Sequence, residues 1–398
     1  MNRWQRTALA VWTTLVLGGV GRAALYDHER HRGCYDIYPQ AGSHWLRSEG
    51  LFNREDADKL MDYRYHPLVA VGCVPLTVLP DPLGSAVLRV VNFAFLFVGL
   101  FWWGSKILRG GAPQRFAQWF LLIALAGGSS LFDVQLTLFT TGLLLIAMAA
   151  IAEERWNLAA LALGVAICCK AYPISLALLL GMLYPRHFVP RMVAVLLLLS
   201  ALPFAAQTAP YVVEQYENWL RVGLHQTYID GAFQDVMHLL QRWVMPMRRN
   251  EYTLFSMLVG AAIALATLLQ RRRVAPEVLL ESVFGMCCAW MMAFGPATEA
   301  TTYVMLAPMA ALAVVRIHDG MSTWSRFAVV VSFTLLALGQ LQLLFSLNRP
   351  IDEIGGQAFA AILLILVYAR WRPAAVVGQE SQGRESGRFS LNSTDLSR

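Results

Sequence analysis

The sequence predicts an all-α protein that crosses a membrane many times, and three observations carry that prediction. Of its 398 residues, 57% are hydrophobic and 15% charged, whereas a soluble domain carries about 25% charge. Apolar runs of about 18 residues or more, enough to cross the hydrocarbon core as a helix, recur along the whole chain. The basic residues behind the net charge of +6 sit in short clusters between the runs.

Taken in order, the apolar run 7–25 follows Arg3 and Arg6. It lacks a small-residue cleavage site, so it reads as a retained span rather than a signal peptide. A charged stretch, 26–66, comes next, with an amphipathic helix expected over 41–51 that sets Trp45 and Leu46 on one side. The run 67–80 is too short for a span. Longer runs follow at 85–104, 115–130, 134–152, 158–184, 190–206, 253–270, 277–294, 300–316, 325–345 and 356–369. This gives roughly 10–13 spans in one domain, 1–372, with a polar tail, 373–398, expected to be disordered on the cytoplasmic side. Within 207–252, the apolar residues Val236, Leu239, Leu240, Trp243 and Val244 recur at helical spacing, which predicts a helix lying on the membrane.

Charge sets the expected topology. Arg3/Arg6, Lys106/Arg109/Arg115, Arg186/Arg191, Arg271–Arg273 and Arg370/Arg372 belong inside by the positive-inside rule. That leaves 26–66 and 207–252 outside. The parity closes only if 67–80 does not cross and 158–184 is two short helices meeting near Lys170. The charge is thus explained by topology and calls for no nucleic acid. Of the six cysteines, the vicinal pairs Cys168/Cys169 and Cys287/Cys288 lie in apolar runs as small hydrophobes, and none has metal-ligand spacing.

Lys170 is the sharpest functional signal. It interrupts an apolar run, just before Tyr172 and Pro173. An ionisable group at membrane depth costs about 2.5–3.5 kcal/mol on insertion scales, so it marks a task, here the binding of a lipid phosphate. No polar stretch is long enough for a doubly wound nucleotide-binding unit, and no Gly-rich phosphate loop is present. Asp56-Ala57-Asp58 therefore reads as a solvated charge run. An activated substrate has to arrive in the membrane, which favours a polyprenyl-phosphate donor.

Five blocks then carry a resemblance. They are Ala41-Gly42-Ser43-His44-Trp45-Leu46 through Leu51-Phe52; Arg64-Tyr65-His66-Pro67-Leu68 with Pro75 and Leu79-Pro80; Gln135 at the head of a helix; Lys170-Ala171-Tyr172-Pro173; and Gly295 through Tyr303 with Pro308. In this order they resemble glycosyltransferase family 87, the polyprenyl-phosphate-mannose-dependent mannosyltransferases of GT-C fold. The resemblance implies a GT-C-like helical bundle in the cell membrane of a prokaryote, with its active site on the outer face. The implied activity is inverting transfer of a hexose, mannose first, from a polyprenyl-phosphate donor to a glycolipid or glycan acceptor. No separate cofactor is expected, and a divalent metal is left open.

The resemblance also assigns roles. Asp36 is the expected base, with Asp27 and Asp62 as alternatives; the family pattern sets its aspartate about two residues earlier, where this chain has Cys34. Lys170 and Tyr172, with Arg64 and His66, are expected at the donor phosphate. Gln135, Glu299 and Thr301 are expected at sugar or acceptor hydroxyls, and Trp45 and Trp219 are candidates for stacking on a sugar. A transporter or flippase using Lys170 and Glu299 as coupling charges is the alternative. It would show paired broken helices, and the break at Lys170–Pro173 has no evident twin.

Overall fold

The computed structural model describes residues 1–25, 33–52, 63–108, 113–224, 233–245, 247–295, 298–345 and 350–371. Asp27, Asp62, the Asp56-Ala57-Asp58 run and the 373–398 tail lie outside the described residues. Those described form α-helices and short 3-10 turns, with no strand among them.

Helix α1 (Arg3–Leu25) is followed by a 3-10 turn, Gly33–Asp36, and α2 (Ile37–Arg47). Helix α3 (Pro67–Cys73), even with its 3-10 extension Val74–Val78, falls short of the ~20 residues of a span. Then come α4 (Asp81–Ile107), α5 (Pro113–Gly127), α6 (Thr137–Ala152), α7 (Trp156–Cys169), α8 (Ile174–Leu183) and α9 (Pro185–Ala201). The chain continues through α10 (Ala209–Leu224), α11 (Val236–Trp243), α12 (Arg249–Arg271), α13 (Pro276–Phe294), α14 (Ala307–Val315), α15 (Thr323–Leu344), the single turn α16 (Pro350–Glu353) and α17 (Gly356–Ala369). Five described segments, α4, α9 with its 3-10 extension Leu202–Ala205, α12, α13 and α15, are long and apolar enough to cross a membrane.

Several other apolar runs are divided. The run 158–184 splits into α7 and α8, and 300–316 becomes a 3-10 turn, Ala300–Met305, followed by α14. In each case a proline, Pro173 or Pro308, removes a backbone donor and favours a fresh helix start.

Helix α6, apolar on every side, lies at the centre and is buried over nearly its whole length. Helix α4 reaches it through glycines. A Cβ at Gly99 would stand 2.6 Å from the Gly142 carbonyl oxygen, and one at Gly142 would stand 2.4 Å from the Phe95 backbone. Small residues are what lets two helix backbones approach this closely inside a bilayer. On the periphery α4, α9, α12 and α15 expose Phe101, Leu197, Leu258 and Phe327. Apolar surface of that extent belongs in lipid.

The helices alternate so that the basic clusters collect at one end. There Arg115 forks onto Asp319 at 2.9 and 3.0 Å, Lys106 pairs with Glu153, and Arg316 pairs with Glu281 at 2.6 Å. Met1 and Gln5 line a cleft with Leu108 and Pro113, which brings the start of α1 to the same end. Helix α3 does not span and α7–α8 turns back on itself, so the Lys106–Arg115 connection stays at this basic end.

Two local expectations are corrected. Helix α2 starts at Ile37 and stops at Arg47, where Ser48 takes a left-handed φ of 57°. Trp45 is 1% and Leu46 56% exposed, because consecutive residues on a helix point in different directions. The apolar stripe of α11 does not simply face lipid. Val236 and Met237 are buried, Leu239 and Leu240 pack on the bundle, and Trp243 Nε1 donates to the Ile354 carbonyl at 2.9 Å.

Glu217 on α10 and Arg272 are both exposed, and the positive-inside rule would set the first outward and the second toward the cytoplasm. In a background with Cys34 replaced by serine, an impermeant thiol reagent is expected to label Glu217→Cys in intact cells. It should label Arg272→Cys only after permeabilisation. The opposite pattern reverses the orientation.

Candidate active site

The candidate residues gather at the end opposite the basic clusters. The break between α7 and α8 forms one wall. Lys170 leaves the helix in extended conformation, φ −148° and ψ 135°, at the point where Pro173 can neither donate to the Cys169 carbonyl nor fit its ring against it, so α7 ends at Cys169. The break frees carbonyls at the end of α7. One of them, Cys168 O, accepts the His66 N–H at 3.1 Å, so the Arg64–His66 segment is fastened to the break. Half-buried Lys170 places Nζ 5.8 Å from the centroid of the Tyr172 ring. Buried Tyr172 donates its hydroxyl to Met305 Sδ at 3.4 Å and lies within electrostatic reach of Tyr65 and Glu299.

A second wall comes from the 132–136 loop and the turn before α14. Gln135 Nε2 donates to Glu299 Oε2 at 2.8 Å, and its Oε1 accepts from Thr137 Oγ1 at 3.2 Å. A flipped amide would set its oxygen against the carboxylate and its NH₂ against the hydroxyl oxygen, so the carboxylate fixes the orientation. Gln234 N–H donates to the Thr298 carbonyl at 2.7 Å, which braces the Glu299 turn. Thr301 Oγ1 meets no hydrogen-bond partner among the described residues.

The remaining predicted residues differ in their settings. Asp36 is exposed and stands at the N-cap of α2 without a side-chain capping bond. Two residues on, buried Tyr38 accepts the Leu136 N–H at 3.1 Å and shares a hydrogen bond with Tyr65 at 3.0 Å. The helix that carries Asp36 is thereby tied to both walls. Arg64 is exposed at the same mouth. His66 is buried, its Nδ1 accepts the Leu68 N–H at 3.1 Å, and its ring meets Tyr216 and Trp219 edge-on. Trp45 packs on Tyr211 at 1% exposure, which leaves it no face for a sugar. Among the described residues no three His, Cys, Asp or Glu side chains come together to hold a metal ion.

Three participants escaped the sequence reading: Tyr38, Arg89 and Asn92. Asn92 is 1% exposed and donates to the Gln135 carbonyl at 3.0 Å. Arg89, 2% exposed and one turn earlier on α4, donates to Ser85 Oγ and, at 3.4 Å, to the Phe132 carbonyl. The signal was available: Arg89 and Asn92 interrupt the run 85–104 just as Lys170 interrupts 158–184.

The model of glycosyltransferase family 87 matches residues 63–296, more than half of the chain. No curated protein sequence matches. Among solved structures, ArnT from Cupriavidus metallidurans bound to undecaprenyl phosphate is similar, with a TM-score of 0.46 and 17% identity, over 96% of this chain and 77% of that one. The same protein in its apo state gives 0.45 and 14%, over 96% and 78%.

His66 supplies a test of this arrangement. It lies ahead of α3, outside the spanning helices, and burial pushes its imidazole down from 6.5 to about 4. The unfolded chain therefore takes up the proton first. Stability is whole above pH 6.5 and is lost as the pH falls toward 4, by up to about 3 kcal/mol. Thermal unfolding of the detergent-purified protein at pH 7 and pH 4.5 reads this loss. His66→Asn keeps a capping acceptor and is expected to lose less than the wild type between the two pH values. Equal losses contradict the assignment.

Proposed function

The chain belongs to glycosyltransferase family 87, and from that premise we propose that it transfers a hexose, mannose first, from a polyprenyl-phosphate donor to a glycolipid or glycan acceptor outside the membrane. The observation that carries this reading is the convergence of Lys170/Tyr172 and Gln135/Glu299 at the end away from the basic clusters. An all-α membrane bundle whose polar residues meet at one mouth suits a substrate with a lipid tail and a polar head. The GT-C arrangement of the family uses such a donor.

In the proposed reaction, the Asp36 carboxylate takes the proton of the acceptor hydroxyl as its oxygen attacks the anomeric carbon. The bond between that carbon and the phosphate oxygen breaks, and the electron pair leaves with the lipid phosphate. A single displacement from the opposite face inverts the anomeric centre. Lys170 stabilises the charge that develops on the departing phosphate, helped by the Tyr172 hydroxyl and by Arg64 at the mouth, with buried His66 behind them holding the Arg64 segment to the break. Gln135 and Glu299, with Thr301 beside them, hydrogen-bond sugar hydroxyls. These bonds orient the ring, and a fixed near-attack geometry is worth several orders of magnitude in rate.

Asp36→Asn keeps the shape and removes the proton acceptor. Turnover in reconstituted protein is expected to fall about 100- to 10,000-fold with thermal stability unchanged, and wild-type turnover would exclude Asp36 as the base. Lys170→Met keeps length and removes the charge. Glycosyl transfer measured against donor concentration is expected to show weaker donor binding and a slower rate. Arg at this position should rescue only partly, because its planar fork is a poor copy of a point charge. An unchanged donor dependence in the Met variant would end the phosphate-site assignment.

A further inference from the structure

We infer that Asn92 and Arg89 of α4, with Tyr38 of α2, form a clamp on the 132–136 loop, and that they act as positioning residues for Gln135. The inference rests on the glycosyl-transfer reading and extends it to side chains that touch no substrate.

The loop connects α5 to α6 and has its own short 3-10 turn, Gly128–Leu131, before it. Its backbone is held at three successive points. Arg89 donates to the Phe132 carbonyl at 3.4 Å, Asn92 to the Gln135 carbonyl at 3.0 Å, and the Leu136 N–H donates to the Tyr38 hydroxyl at 3.1 Å. Arg89 and Asn92 are three residues apart, so they share one face of α4. Both are nearly inaccessible, at 2% and 1% exposure, as is Tyr38 at 0%. With its backbone fixed on both sides, Gln135 has little freedom except about its own side chain. Thr137 holds that at Oε1 while Nε2 meets Glu299.

The clamp also links the two halves of the site. Tyr38 lies one helical half-turn beyond Asp36, and the same hydroxyl that receives Leu136 N–H bonds Tyr65. A shift of the 132–136 loop would thus move the sugar-binding pair relative to the base. Displacement by about an ångström at a reacting centre can cost on the order of 100-fold in rate. A buried asparagine serving only to fill space would be better replaced by leucine, which has no polar atoms to satisfy.

The test is a double-mutant cycle between Asn92→Leu and Gln135→Ala, joined to hydrogen–deuterium exchange of the peptide spanning 132–136. Asn92→Leu alone is expected to lower kcat roughly 10- to 100-fold, moving the same kinetic parameter as Gln135→Ala. In the Gln135→Ala background it should add almost nothing, because its effect runs through that side chain. Tyr38→Phe should behave similarly. Wild-type turnover in Asn92→Leu, or an effect that multiplies in full onto that of Gln135→Ala, would overturn the inference. Exchange reads the clamp independently of activity. Faster exchange confined to the 132–136 peptide in Asn92→Leu supports it, and unchanged exchange refutes it. If no transfer from polyprenyl-phosphate sugars is detected in the wild type, the functional reading fails, and the exchange result still decides the clamp.

Discussion

A helix broken inside hydrocarbon has to hand its freed backbone groups to other protein atoms, because lipid offers none. The break between α7 and α8 obeys this constraint through the bond from His66 N–H to Cys168 O. That bond couples three features that look separate in the sequence. Helix α3 stays short and enters from the same side as the break, His66 caps it, and Lys170 emerges beside the segment that carries Arg64. Had α7 and α8 been one straight span, the following helices would have changed direction and the basic clusters would have been divided between the two ends.

The separation of charge follows from this parity. At one end some of the cations are matched by carboxylates brought close in the fold, as in Arg115–Asp319, Lys106–Glu153 and Arg316–Glu281. Burial of the last pair makes sense only as a pair, since either member left alone would cost several kcal/mol. At the other end Lys170 with Tyr172, Gln135 and Glu299 come from three stretches of chain, and Gln135 and Glu299 already hydrogen-bond each other. In the proposed reaction that bond would let Gln135 and Glu299 meet hydroxyl groups at little further cost in side-chain entropy, the preorganisation such a site calls for.

Much of the fold was legible in the sequence because membrane helices declare themselves by length and apolarity. The division of 158–184 was legible for a further reason: Lys170 and Pro173 together mark a place where neither charge nor backbone suits a continuous span. What was not legible is contact between distant segments. Nothing local to Gln135 or Glu299 announces that they pair across 164 residues. Trp45 reads as a ring that could stack on a sugar until the packing of Tyr211 on it is seen. The stripe on α11 has lipid-seeking periodicity, yet periodicity shows only that one face is apolar, and the bundle competes with lipid for that face. Arg89 and Asn92 were passed over because no proline follows them. They interrupt the pattern of α4 without breaking the helix, so the sequence carries their oddity but not their reach to the 132–136 loop.

The central claim is that this membrane bundle moves a sugar from a lipid phosphate to an acceptor. Its most direct test is incubation of the purified protein in liposomes with polyprenyl-phosphate mannose, radiolabelled in the sugar, and a lipid extract containing acceptors, followed by separation of the products. The account predicts that label leaves the polyprenyl phosphate and appears on an acceptor glycan with the opposite anomeric configuration. Label that stays on the polyprenyl phosphate across the range of polyprenyl-linked hexoses, or product that retains the donor's configuration, would contradict it.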